Sequence, residues 1–231
     1  NKLAESSLSD SIDLDQPLVF NSIFSPAPRH VAFASSSLRD EFNAGLAAIK
    51  FDMNPGERYI ARVRSAEKQP IQDIFDQING RIESELEKAG EQAKDLDYLK
   101  KNVPYLGELM LGHVRYGTFG KNSIESVHPF LRQNNWMHRN LIVAGNFNMT
   151  NVQELFEELV QIGQHPKAKA DTVTVMERIG HFLDDAVAKH YKQAKKEGFD
   201  KHAASEIIAK RLDVARILRK SAKNWDGGYA M

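Results

Sequence analysis

Two hydrophobic rhythms alternate along the chain and divide it into strands and helices. Ala44 to Phe51 is a mostly apolar run, short enough for a buried strand. Arg58 to Arg64 alternates polar and apolar residues, the period of a half-exposed strand. Asn54-Pro55-Gly56 lies between them and signals a turn, because proline presets φ and glycine accepts a positive φ. These segments predict a hairpin. Pro70 opens a helix where its missing N–H costs nothing, and Ile71, Ile74, Phe75, Ile78 and Ile82 follow at helical spacing. Gly80 weakens this helix and Gly90 ends it. A short helix over Ala93 to Lys101 and strands over Glu108 to Val114 and Leu141 to Gly145 come next.

The C-terminal part is helical. Asn151 caps a helix, with Glu154 three residues on as in a capping box. Asp171 caps the next, which aligns Val175, Met176, Ile179, Phe182, Leu183 and Ala186. A last helix runs from about Ala203 to Lys220, and Trp225 to Tyr229 begins a turn or a new strand. The basic run Lys192 to Lys196 reads as a solvated helix end. Paired strands followed by long helices predict a layered α+β domain over residues 44–231. Residues 1–43 are serine-rich and read as a poorly ordered lead-in, with Pro17 to Phe20 and Val31 to Ala34 as short strand candidates.

Composition narrows the function classes. Lys plus Arg and Asp plus Glu both number 31, so the formal charge is zero. That balance favours neither nucleic acid nor an anionic membrane, and its weak colloidal protection leaves a homo-oligomer open. No apolar run approaches bilayer length, and Asn1 to Asp10 has no signal-peptide core, so a cytoplasmic location is the default expectation. The chain has no cysteine, which excludes disulfides and thiolate metal sites. Gly117 to Asn122 is too short for a phosphate loop, no histidine pair has metal-ligand spacing, and no Gly-x-Ser-x-Gly elbow occurs. No metal or cofactor is expected; His113, His128 and His181 read as packed or hydrogen-bonded.

Three segments carry candidate chemistry. Gly112-His113-Val114-Arg115-Tyr116-Gly117-Thr118 places a guanidinium at a strand end, with a hydroxyl three residues on. A guanidinium binds an amino-acid carboxylate bidentately, and a threonine adds a neutral donor. The ammonium of the same ligand requires a carboxylate, for which Asp171 is held at a helix start. Gly145-Asn146-Phe147 follows an apolar strand and precedes a helix, so the Asn146 amide and the Phe147 N–H could stabilise an oxyanion. Each segment also has an everyday use: a surface ion pair for Arg115, an N-cap for Asp171, a plain turn for 145–147.

Together these motifs resemble the class II glutamine amidotransferases, which use an N-terminal nucleophile, and most of all the glutaminase domains of the amidophosphoribosyltransferases. The family's Gly-His-x-Arg-Tyr-x-Thr segment falls on Arg115 and Thr118, and its Pro-Phe pocket lining on His128-Pro129-Phe130. Its His-Asn-Gly oxyanion turn falls on Asn146 and Phe147, and its amino-group segment on Ala170-Asp171-Thr172. The resemblance covers about Ala44 to the C-terminus. It implies a four-layer αββα sandwich of the N-terminal-nucleophile hydrolase type, incomplete at both ends, with L-glutamine as ligand. The resemblance also leads one to expect a phosphoribosyltransferase half after Tyr229, which these residues do not include.

The family's nucleophile is an N-terminal cysteine whose own α-amino group acts as base. This chain begins with Asn1; Ser6, Ser7, Ser9 and Ser11 follow, but nothing marks a processing site. Of the family's segment before its Ala-Gly, only Arg39 agrees within Ser36 to Phe42, and the oxyanion glycine has become Phe147. The readings are therefore an incomplete, purine-type glutaminase domain lacking its nucleophile, a non-catalytic glutamine-sensing or assembly module, or a structural αββα domain with a decayed pocket.

Overall fold

The computed structural model describes residues 42–116 and 123–231. The expected lead-in over residues 1–43 lies outside that range except for Phe42 and Asn43, which open the first strand. Strand β1 (Phe42–Ile49) is the centre of a three-stranded antiparallel sheet between β2 (Ile60–Ser65) and β3 (Leu109–Tyr116). The predicted hairpin is present, and Gly56 adopts φ +94° in its turn.

Directly opposed residues of adjacent strands share a face. On one face Ala44, Ala48 and Val63 pack on Ile74, Ile78 and Ile82 of helix α1 (Pro70–Ala89), with Leu46, Ala61 and Met110 around them. Helix α1 starts at Pro70 and stops at Gly90, whose φ is +54°, as the sequence predicts. Helix α2 (Leu96–Asn102) starts at Asp95, whose carboxylate accepts from the N–H groups of Asp97 and Tyr98. The other face is unusual for a sheet interior. Small residues, Gly45 and Ala47, run down its centre, flanked by Arg62, Arg64, His113 and Arg115.

Two further antiparallel pairs follow: β4 (Phe130–Arg132) with β5 (Leu141–Val143), and β6 (Asn146–Met149) with β7 (Gly227–Ala230). Helices α3 (Val152–Gln161), α4 (Asp171–Lys196), α5 (Lys201–Arg211) and α6 (Val214–Ser221) build a second core. It joins Met149 and Leu155 to Val175, Ile179, Leu183 and Val187, closed by Ile208 and Ile217. The Lys192 to Lys196 run ends α4, where cations oppose the helix dipole. The architecture is mixed helix and sheet, of the α+β kind. Among the described residues no helix is long and apolar enough to cross a membrane.

Three local expectations are corrected. The helix predicted over 203–220 is two helices, because the Asp213 carboxylate accepts from the Arg216 N–H and starts α6 anew. Asn151 makes no side-chain cap to α3; its amide instead donates to the Asn224 carbonyl at 2.7 Å and accepts from the Asp226 N–H at 3.2 Å. Asp171 is the first residue of α4 rather than its cap, and its carboxylate accepts from the Met149 N–H at 3.0 Å. In the last two cases a distant backbone group takes the side chain that a local cap would have used. Asp213→Ala should cost about 1 kcal/mol in thermal or urea unfolding; unchanged stability would mean that the α6 cap contributes nothing.

Candidate functional site

The arginine-bearing face of the sheet carries Arg115 and is covered by the segment that holds His128. This short segment, Ser126 to Phe130, runs from the end of a 3-10 turn (Ile124–Ser126) into β4, lies across the face and is held by its own carbonyls. Arg115 Nη1 donates to the Ser126 oxygen at 3.1 Å, Arg64 Nη1 to the Val127 oxygen at 3.3 Å, and Arg62 Nη1 to the Pro129 oxygen at 3.2 Å. The His128–Pro129 peptide is cis, and the His128 carbonyl presses on Gly45. A Cβ built on Gly45 would stand 1.9 Å from that oxygen, so only glycine lets the segment approach β1 so closely.

None of these three guanidiniums makes an ion pair among the described residues. Burial pushes both Arg62 and Arg64 below the ordinary guanidinium range; the charge of Arg64 adds to the effect on Arg62, while Glu125 opposes it on Arg64. The cluster is a half-buried positive surface with few charges to balance it. Such a surface favours an anionic ligand.

His128 is the hub of the site. It is only 2% exposed, and its ring stacks on His113 with centroids 4.5 Å apart. Phe130 meets it edge-on at 4.9 Å, and Phe147 lies at 6.5 Å. Its Nδ1 accepts from the Gly145 N–H at 3.2 Å, so the neutral ring carries its proton on Nε2, which faces Thr172 Oγ1 at 3.3 Å. Burial, then His113, then Arg115 depress its pKa to about 4. Burial and Arg115 lower that of His113 as well. His128 is therefore neutral at pH 7.

One imidazole thus ties together three stretches far apart in sequence. Arg115 acts on it by charge, Gly145 immediately precedes Asn146, and Thr172 immediately follows Asp171. Asp171 braces β6 through its bond to Met149 and keeps Oδ1 without a partner among the described residues. The segment around Asn146 departs from expectation. Asn146 and Phe147 form the start of β6, paired with Ala230 and Tyr229, where a turn was expected. In a strand a side-chain amide stands off the sheet while the next N–H lies in its plane, so the two donors do not converge. Asn146 is exposed, and Phe147 turns its ring toward His128. Thr118 lies outside the described residues. Among the described residues no group of three His, Asp or Glu is placed to share a metal ion.

Sequence reasoning missed Arg62 and Arg64 as site residues. The signal was present as Arg-x-Arg in an alternating strand beside the Gly45-x-Ala47 strand, a pattern that a solvent-facing surface explains equally well.

No family model matches the chain. Similarity to curated proteins is low but consistent in kind. The chain is 30% identical over 147 residues to a glutamine–fructose-6-phosphate aminotransferase (isomerizing) of Sulfurisphaera tokodaii, covering 64% of this chain and 20% of that protein. It is 31% identical over 77 residues to an amidophosphoribosyltransferase of Archaeoglobus fulgidus, covering 33% and 16%. A second glutamine–fructose-6-phosphate aminotransferase, from Zymomonas mobilis, is 28% identical over 124 residues, covering 54% and 18%. The chain is a distant relative of the class II, N-terminal-nucleophile glutamine amidotransferases. It spans about a fifth of the length of these curated relatives. The likeness is not particular to amidophosphoribosyltransferase, since the sugar aminotransferases match equally well.

Proposed function

We propose that residues 44–231 form the glutamine-binding domain of an amidotransferase, on the four-layer αββα fold of the N-terminal-nucleophile hydrolases. The observation that supports it most is Arg115, a guanidinium with no ion-pair partner among the described residues, set beside the His128 hub. In this reading Arg115 and Thr118 take the α-carboxylate of L-glutamine. The open Oδ1 of Asp171 takes its ammonium. His128 and Phe130 wall the pocket, and Asn146 with Phe147 stands at the carboxamide end. Convergence of those last two donors on an oxyanion requires β6 to loosen from β7 when the ligand enters.

Ammonia released from glutamine would pass to an acceptor domain in the cytoplasm. The motif likeness favours an amidophosphoribosyltransferase-like, purine-route acceptor, and the relatives' names add a fructose-6-phosphate-aminating one. Neither acceptor is part of residues 44–231. A second reading, a non-catalytic glutamine-sensing or assembly module, is favoured by one observation: Asn146 and Phe147 lie in β6, paired with β7, where the Asn146 amide and the Phe147 N–H do not converge on an oxyanion.

Isothermal titration with L-glutamine tests the binding step. A guanidinium–carboxylate bond contributes about 1.5–3 kcal/mol, so Arg115→Ala should weaken binding by about ten- to a hundredfold. Equal affinity of the variant and the wild type contradicts the carboxylate assignment. No steady ammonia release is expected from this polypeptide.

A further inference from the structure

We propose that Arg62 and Arg64 are positioning residues of this pocket: they fix the backbone on either side of His128 and thereby hold its ring in register with Gly145 and Thr172. The inference rests on the glutamine reading only for its effect on affinity. Its geometric basis is independent. Arg62 and Arg64 are two residues apart on one strand, so their side chains leave the same face at the spacing of two strand residues. Their acceptors, the Pro129 and Val127 carbonyls, are also two residues apart, and they run in the opposite sense. The two ladders match rung for rung. His128 is the residue between the rungs, with its carbonyl seated on Gly45. Its ring is thereby delivered to the Gly145 N–H and to Thr172 Oγ1.

A plain packing role accounts for this arrangement poorly. A glutamine or an apolar residue could cover the same small-residue face without desolvating charge. Two adjacent guanidiniums, neither with an ion-pair partner among the described residues, are a costly way to bind two carbonyls. They fit a site that needs a rigid, positive floor beneath an anionic group. Arg115 extends the same row to the Ser126 carbonyl, so the residue assigned to the carboxylate and the two positioning residues grip one continuous segment.

The test uses the full chain, with selective NMR detection of the His128 imidazole nitrogens alongside L-glutamine titration. Arg62→Met and Arg64→Met should each move the His128 Nδ1 and Nε2 resonances and weaken glutamine about tenfold, with Arg→Lys restoring part of both. Arg81→Met is the control. It removes a guanidinium that bonds the Tyr105 hydroxyl on the α1 side of the sheet, and should leave the His128 resonances in place. Unchanged His128 resonances in the folded Arg62 and Arg64 variants overturn the proposal. If the methionine variants do not fold, Arg62→Gln and Arg64→Gln, which keep a donor, decide it by the same resonances. If wild-type protein fails to bind glutamine, the functional reading falls, and the imidazole resonances still decide the positioning role.

Discussion

Lowering the pH from 7 to 4 will destabilise the fold by about 3 kcal/mol through His128 alone. The sign follows from the direction of the shift. In the unfolded chain His128 titrates near its ordinary value of 6.5, whereas in the fold it is held at about 4. Below 6.5 the unfolded state therefore binds a proton that the folded state refuses, and stability falls until the folded ring also titrates. Well above 6.5 both states are neutral and His128 contributes no slope. Protonation at Nδ1 would also break the bond from the Gly145 N–H and place a cation beside Arg115. His113, lowered by burial and by Arg115, adds to the loss with the same sign. Glu108, held at about 2 by Lys100 and the Phe51 N–H, acts mainly below this window. Urea unfolding across pH 4 to 7 should show the slope in the wild type and a flatter one in His128→Gln, whose amide can still accept from Gly145. Equal slopes would show that His128 is not the buried neutral group.

The second large effect is expected at Gly45. Gly45→Ala puts a methyl group where the His128 carbonyl oxygen now sits, 1.9 Å from the new carbon, with the Pro129 ring at 3.0 Å. Neither neighbour is the flexible end of a side chain. The 126–130 segment must lift off β1, and the arginine bonds to Val127 and Pro129 must lengthen. Overpacking of this kind costs about 1–3 kcal/mol or more, and the upper end applies because backbone meets backbone. Gly112→Ala is the matched control. It lies on β3 opposite Leu46, with nothing within 4 Å of its added carbon, and should be neutral or slightly stabilising. Denaturant midpoints separate the two. Equal midpoints would mean that the His128 segment does not rest on β1.

The parts of the fold legible in the sequence are those governed by local rules. The hairpin followed from an apolar run and an alternating segment on either side of Asn54-Pro55-Gly56, and α1 from Pro70, the isoleucine spacing and Gly90. The misreadings arose where a distant partner outweighed a local one. Asn151 and Asp171 have the chemistry of caps, but the 224–226 turn and the Met149 N–H claim their side chains. The stretch beginning at Asn146 looked like a turn because its strand partner, β7, lies some eighty residues on. The break at Asp213 was hidden by apolar spacing that continues across it, although an aspartate three residues before a backbone donor was a readable signal. Motif order in the sequence points to Arg115, His128 and Asp171 as candidates, and in the structure His128 links the three stretches that carry Arg115, Gly145 and Thr172. Arg62 and Arg64 were not, because alternation reports that one face of a strand is polar and does not report what covers that face.

A crystal structure of the protein with L-glutamine tests the central claim most directly. The account predicts the α-carboxylate within hydrogen-bond distance of the Arg115 guanidinium, the ammonium on Asp171, and the carboxamide beside Asn146 and Phe147. Glutamine seated elsewhere, or Arg115 still bonded only to the Ser126 carbonyl while the ligand is bound, would contradict it.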